Sequence, residues 1–274
     1  MNNRPTQVEP NERVTYAVHH ADEHMLVVEK PTRVVTQPGV GHQHDTLLNG
    51  LMARYPKQLT NLGVNRDFGL VHRLDRETSG LVVIALTPNA YDGLREQFEN
   101  RGVRKFYWAV CHKAPRDLEG VIRKPILDEI QRTSRYTSVR IAKISSAGKP
   151  ALTAYRVIDH SGIGALIEAR PVTGRLHQIR LHLSMIGSAV LGDSLYGPKK
   201  IQFGAPRLAL HAHRIVLNHP ISGEELDIRT RFPRDLRTLL KKLDLKRPDL
   251  DEQDGGSAAI DQRPDELPGD AVGE

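Results

Sequence analysis

Six consecutive apolar residues, Leu81-Val82-Val83-Ile84-Ala85-Leu86, lie between Gly80 and Pro88 and constrain the fold of this chain more than any other stretch. So short a run of Val, Ile and Leu, bounded by two breakers, reads as a buried strand, because a helix that spans a core needs a longer segment. The nine residues ahead of it, His72-Arg73-Leu74-Asp75-Arg76-Glu77-Thr78-Ser79-Gly80, are mostly polar and form a loop held at the strand's end. Loops carried on rigid strands are favoured places for reactive groups, since the strand fixes their position while the loop keeps them open to a substrate. Asp75 is the candidate. Arg73 and Arg76 flank it, and two cations beside a carboxylate favour its ionised form, ready to act as a nucleophile. The same residues also fit a surface loop in which Asp75 pairs with an arginine and Thr78-Ser79-Gly80 makes a turn.

Residues 1–13 carry two prolines and no periodicity and read as a loose arm, so the folded region is expected over 14–248. Residues 14–18 and 25–28 read as short strands, with the polar turn His19-His20-Ala21-Asp22-Glu23-His24 between them. Its three histidines lack a known ligand spacing. Gly39-Val40-Gly41-His42-Gln43-His44 has neither a P-loop lysine nor a dinucleotide fingerprint and reads as a flexible loop. Leu47, Leu48, Leu51 and Met52 predict a helix over 46–55, capped by Asp45 or Thr46. Thr87-Pro88 opens a second helix over 88–101, which Gly102 stops. Residues 103–110 alternate as a strand, and Cys111 at its end is a small buried hydrophobe.

Residues 112–150 read as an excursion of hairpins, with β-prone pieces such as Arg135-Tyr136-Thr137-Ser138-Val139-Arg140-Ile141. Strands follow over 151–158 and 165–169, and then Ile179, Leu183 and Ile186 share a helical face. His177 and His182 are five apart, on different helical faces, and miss the spacing of a zinc pair. Strands over 207–215 and 225–228 and a helix over 233–245 close the pattern. Many short strands with few helices predict an α+β fold in a single domain, with a long mixed, mostly antiparallel sheet flanked by helices.

Charge is divided along the chain. Residues 249–274 hold nine acids and one base, Arg263, which leaves 38 Lys+Arg against 24 Asp+Glu elsewhere, a net of +14. A body so basic points to a polyanion, because phosphate contacts supply most non-specific nucleic-acid affinity. The acidic tail has too few apolar residues to offset the entropy of ordering it and is expected to be disordered. One cysteine excludes an internal disulfide and a multi-cysteine zinc site. No apolar run reaches the ~18 residues that span a bilayer, and the first residues lack a secretion signal's apolar core. A cytoplasmic protein with no membrane partner is expected.

His72-Arg73-Leu74-Asp75-Arg76-Glu77-Thr78-Ser79-Gly80 resembles the HRLDxxTSG signature of the RluA family of RNA pseudouridine synthases. Residues 170–183, Arg170-Pro171-Val172-Thr173-Gly174-Arg175-Leu176-His177-Gln178-Ile179-Arg180-Leu181-His182-Leu183, are similar to the family's RPxTGRxHQIRxHL, and Gly192-Asp193-Ser194-Leu195-Tyr196-Gly197 to the GDxxYG that follows it. The resemblance runs over about residues 14–232. It implies that Asp75 is the catalytic aspartate, that Tyr107 stacks on the target base, and that Arg180, or Arg175 in the same signature, pairs with the aspartate. Substrate-binding candidates are His72, Arg73, Leu74 and Arg76 from the first signature and Arg175, His177 and Gln178 from the second. Thr32-Arg33 and Gln37 depart from the family pattern, and the S4-type RNA-binding domain of many members has no counterpart in residues 1–13.

The implied reaction breaks the N1 glycosidic bond of a uridine in RNA and rejoins the base through C5. It involves no redox step or phosphate transfer, so neither cofactor nor metal is expected. Ribosomal RNA of the large subunit is the first expected partner and tRNA the second, bound by a monomer. A uracil must leave its stack to be reached, and Arg73 is placed to fill the gap. Two alternatives stay open: a glycoside hydrolase using Asp75 with a second carboxylate such as Glu77, and a non-catalytic RNA-binding protein of the same fold.

Overall fold

The computed structural model describes residues 7–132, 138–198 and 202–248. Its strands are β1 (Ala17–Ala21), β2 (Met25–Lys30), β3 (Ser79–Ala85), β4 (Arg104–Cys111), β5 (Glu119–Arg123), β6 (Ile126–Arg132), β7 (Ser138–Ile144), β8 (Leu152–His160), β9 (Ala165–Pro171), β10 (Leu210–Asn218) and β11 (Glu225–Arg229). Its helices are α1 (Leu47–Arg54), α2 (Pro56–Leu62), α3 (Pro88–Glu99), α4 (Gln178–Met185) and α5 (Arg237–Lys242). The class is α+β, as the pattern predicts. Within that single domain the described residues cluster into two compact units, one of residues 7–104 with His211–Thr230 and one of Lys105–Leu210 with residues 231–248. The return of residues 211–230 to the first unit is a long-range pairing that local periodicity does not encode.

In the first unit the strands run β1-β2-β3-β10, with β11 on the far side of β10. β2 and β3 pair antiparallel over six residues, from Met25↔Ala85 to Lys30↔Gly80. Every residue of β3 is buried, as expected of the apolar run, although the strand begins two residues earlier, at Ser79. Leu81, Val83 and Ala85 point to one face. There they pack with Met25 and Val27 of β2, Ile215 and Leu217 of β10, and Ala90, Tyr91 and Leu94 of α3. Thr87 caps α3 by accepting from the Ala90 N–H, and Pro88 occupies its first turn. Thr46 and Asn49 form a reciprocal capping box at the start of α1.

β3 pairs with β10 in parallel, His211 opposite Ser79 and Ala212 opposite Gly80. Gly80 has φ +122°, and a Cβ there would stand 2.2 Å from the Ala212 carbonyl oxygen. Only glycine lets the two backbones pass so closely. Gly80→Ala is therefore expected to lower unfolding free energy by about 2–3 kcal/mol through strain and overpacking. Urea melts would test this, and a variant with the wild-type midpoint would refute it.

The polar turn expected at 19–24 is instead largely strand. β1 includes His19 and His20, with a bulge between Val18 and His20, because this exposed edge strand tolerates polar side chains on both faces. Each histidine there has an acidic neighbour: His19 with Glu29, His20 with Asp22 and His24 with Glu23. Among the described residues no three His, Cys, Asp or Glu side chains are grouped to hold a metal. Part of the expected loose arm is docked. The Asn11 N–H donates to the Asn49 carbonyl at 2.9 Å, and Asn49 Nδ2 donates to the Glu9 carbonyl at 2.7 Å.

The second unit runs β4-β9-β8-β5, all antiparallel, beside the separate hairpin β6-β7. Cys111 ends β4 with no exposed surface, and burial pushes its thiol well above the usual range. Ile126 and Ala142 of the hairpin join Ala151 and, partly buried, Leu176 and Leu181. Asp128–Arg140 and Glu129–Lys143 ion pairs lace its surface. The helix expected over 233–245 is shorter: a 3-10 turn at Arg234–Leu236 precedes α5, and the chain leaves it where Asp244 takes φ +52°. Residues 135–137 and the acidic tail at 249–274 lie outside the described residues. No helix among those described is long and apolar enough to cross a membrane.

Candidate active site

The backbone on both sides of Asp75 is pinned. Ahead of it, Thr36 Oγ1 donates to the Leu74 carbonyl at 2.9 Å and accepts from the Leu74 N–H at 3.2 Å. Behind it, Thr32 Oγ1 donates to the Glu77 carbonyl at 2.9 Å. The fully buried Lys30 ammonium donates to the carbonyls of Pro31, Val34 and, at 3.4 Å, Arg76. Asp75 itself opens a turn, its carbonyl accepting from the Thr78 N–H at 3.1 Å. Thr36 also ties this loop to α1, since the Leu48 N–H donates to the Thr36 carbonyl. Sequence reasoning missed Lys30, Thr32 and Thr36. Lys30-Pro31 reads as a strand end, and nothing local marks a lysine that reaches a carbonyl 46 residues away as well as those of Pro31 and Val34.

The loop residues divide by burial. Leu74 is buried, Asp75 half-buried, and Arg73 and Arg76 exposed. Arg76 Nη1 donates to Glu77 Oε1 at 3.0 Å in an exposed ion pair, so Glu77 is already engaged by a cation. Among the substrate-binding candidates His72 has a scaffold role. Its Nε2 accepts from the Val83 N–H at 2.9 Å, which places the ring proton on Nδ1, and the ring stacks on Phe98 at 4.7 Å. The imidazole thus gives a partner to a buried strand N–H.

The second signature sits wholly in the second unit. Tyr107, 8% exposed, lies on β4 opposite Ala169 of β9. Arg180 on α4 is buried and forms a bidentate pair with Asp193, Nε to Oδ2 at 2.7 Å and Nη2 to Oδ1 at 2.8 Å. Its guanidinium also lies 5.2 Å from the centre of the Tyr196 ring. Burial raises the proton affinity of Asp193. The Arg180 guanidinium and the N–H groups of Tyr196 and Leu195 more than offset this, holding its carboxyl below the usual range. The RPxTGRxHQIRxHL-like and GDxxYG-like segments are therefore two halves of one support. Arg175, by contrast, is half-buried and donates through Nε to the Pro150 carbonyl.

His177 takes the left-handed conformation at the start of α4, and its Nδ1 lies 2.9 Å from the Tyr196 hydroxyl. Gln178, a substrate-binding candidate, is held by its neighbours. Its Oε1 accepts from Thr173 Oγ1 and the Arg175 N–H, and its Nε2 donates to the Leu152 carbonyl and Thr153 Oγ1. All four hydrogen-bonding places of the amide are filled at 4% exposure, so Gln178 belongs to the scaffold. His182 bridges Thr153 and the Lys124 carbonyl beside it, and burial pushes its ring below the usual histidine range.

Residues 24–185, more than half of the chain and including both signatures, match the family model described as RNA pseudouridylate synthase. A relative from Zymomonas mobilis named ribosomal large subunit pseudouridine synthase D is 37% identical over 248 residues, covering 88% of this chain and 76% of the relative. A protein of the same name from Nitrosomonas europaea is 38% identical, covering 85% of this chain and 66% of the relative. The solved structure of human RNA pseudouridylate synthase domain containing 4 superposes with a TM-score of 0.65 at 28% identity, covering 85% of this chain and 95% of that one. Both the match across the two signatures and the level of identity place the chain in the RluA-type family of RNA pseudouridine synthases.

Proposed function

We propose that this chain isomerises specific uridines of large-subunit ribosomal RNA to pseudouridine, with tRNA the second candidate, and that Asp75 starts the reaction at the ribose. The observation that carries the reading is the clamp on the Asp75 loop. Leu74 is bonded through both backbone groups and Arg76 and Glu77 through their carbonyls, so the carboxylate between them is delivered from a fixed backbone. A reacting group held in place needs no reorganisation when substrate arrives. The names of the Zymomonas mobilis and Nitrosomonas europaea relatives support ribosomal RNA as substrate.

In the proposed reaction the N1–C1′ bond breaks as Asp75 either attacks C1′, forming an ester that C5 later displaces, or removes the 2′ hydrogen, which returns to C2′ when C5 adds. The base turns, C5 bonds to C1′, the C5 proton leaves to solvent, and N1 gains a proton. The exposed Arg73 side chain is suited to occupy the space the flipped base leaves. Tyr107 packs on the base. Arg180 keeps the role the family resemblance gives it, with Asp193 fixing its guanidinium. The chemistry requires no cofactor or metal, and the enzyme acts as a cytoplasmic monomer.

The test is tritium release from ribosomal RNA labelled at uridine C5, beside pseudouridine mapping of RNA from cells with and without the gene. Label should appear in water, and one or more large-subunit sites should lose pseudouridine when the gene is absent. A purified chain that releases no tritium from either ribosomal or transfer RNA would overturn the reading.

A further inference from the structure

The support of the loop does not end at Lys30, Thr32 and Thr36. Four residues after Asp75, Ser79 Oγ lies 2.8 Å from His211 Nδ1, and the other ring nitrogen, Nε2, lies 2.7 Å from Thr230 Oγ1. His211 has no exposed surface, Thr230 is 2% exposed and Ser79 5%. All three belong to the first unit. A hydroxyl can donate or accept, so a serine and a threonine satisfy both nitrogens of one imidazole. Thr230 is fixed in turn, its N–H donating to the His213 carbonyl at 2.8 Å. At the same point the glycine at 80 lets β10 pass against β3, which brings the His211 ring alongside Ser79.

We propose that His211 is a positioning residue for the isomerisation, acting through Ser79 to hold the exit of the Asp75 loop. The proposal rests on Asp75 being the reactive group. The loop has two ends. Lys30, Thr32 and Thr36 hold the backbone around Asp75, and the Asp75–Thr78 turn ends against Ser79. Beyond the carbonyl anchors at Arg76 and Glu77, the Ser79 side chain is the turn's next fixed point, and a displacement of about 1 Å at a reacting group can cost roughly 100-fold in rate. The contact is remote from solvent, so its loss should appear in the chemical step and leave RNA capture unchanged.

Two substitutions at His211 separate the roles of its nitrogens. His211→Asn keeps a polar atom near the Nδ1 position and loses the reach to Thr230, while His211→Gln does the reverse. Single-turnover rate at saturating enzyme, filter-binding affinity and melting temperature would be measured for both, for Ser79→Ala, and for Ser79→Ala with His211→Gln. His211→Gln and Ser79→Ala are expected to lose about 10- to 100-fold in rate with RNA affinity unchanged. The double variant should be no slower than the slower single, and His211→Asn should recover most of the rate. Equal rate losses in the Asn and Gln variants, or losses confined to affinity, would reduce His211 to a scaffold residue and overturn the proposal. If the His211 variants fail to fold, Ser79→Ala decides alone, a wild-type rate refuting the idea. Asp75→Asn, run in parallel, keeps the outcomes apart: activity in that variant refutes the reading of Asp75, whereas a wild-type rate in Ser79→Ala beside a dead Asp75→Asn refutes only the role of His211.

Discussion

Asp75→Asn should abolish turnover, by about 10^4-fold or more, while leaving fold and RNA affinity near wild type. The substitution keeps side-chain size and removes the negative charge. Attack at C1′ and removal of the 2′ hydrogen both need that charge, so the expected loss is the same for either route. The loop should survive, because its anchors reach backbone atoms of Leu74, Arg76 and Glu77 and none depends on the Asp75 side chain. Asp75→Glu sharpens the test. It retains the charge and moves it by one methylene, and a misplacement of that order can cost roughly 100-fold. Tritium release beside a filter-binding titration of the same RNA measures both effects. An Asn variant that binds and turns over at the normal rate would remove Asp75 from the mechanism, whereas a fully active Glu variant would show that the pinned backbone is not what matters.

The parts of this site legible in the sequence are those written in consecutive residues. The apolar run after Gly80 announces β3, and Thr87-Pro88 announces α3 with its cap. Two contiguous signatures carry Asp75 and Arg180. Illegible were the supports joined across long loops. Lys30 serves Arg76, 46 positions on, and His211 lies 132 positions from Ser79. His211 reads as a partnered core histidine and is one, but neither it nor Lys30 names its partner in sequence, since the carbonyl or hydroxyl is brought to it by tertiary folding. The partners of Gln178 were illegible for a related reason. A polar side chain inside a signature reads as a contact to substrate, yet here the motif uses it to close its own turn at Thr173 and Arg175. The parallel pairing of β10 with β3 was likewise hidden, because more than 100 residues intervene between the two strands.

The same logic makes Asp193 the residue whose removal should cost the most stability. Arg180 is 6% and Asp193 1% exposed at the side chain, and two bonds of 2.7 and 2.8 Å join them. Replacing buried pairs by apolar residues is often neutral, but deleting one partner, which takes from the other charge its bidentate counter-charge, costs about 3–5 kcal/mol. Asp193→Ala should therefore lose about that much at pH 7, also freeing the N–H groups of Leu195 and Tyr196 that the carboxylate caps. Arg180→Met with Asp193→Ala should recover part of the loss, a positive coupling in the double-mutant cycle. The pH dependence has a fixed sign. Because the folded carboxyl titrates below its usual value, its stabilising contribution is complete above about pH 4, the unfolded range, and fades as pH falls through the folded pKa. Other carboxylates are common to both proteins, so the difference between wild type and Asp193→Ala isolates this group. Urea melts at pH 7 and in steps below pH 4 should show a gap that narrows only in the acid range. A gap under about 1 kcal/mol at pH 7, or one that stays constant into acid, would show that Asp193 does not hold Arg180 by charge.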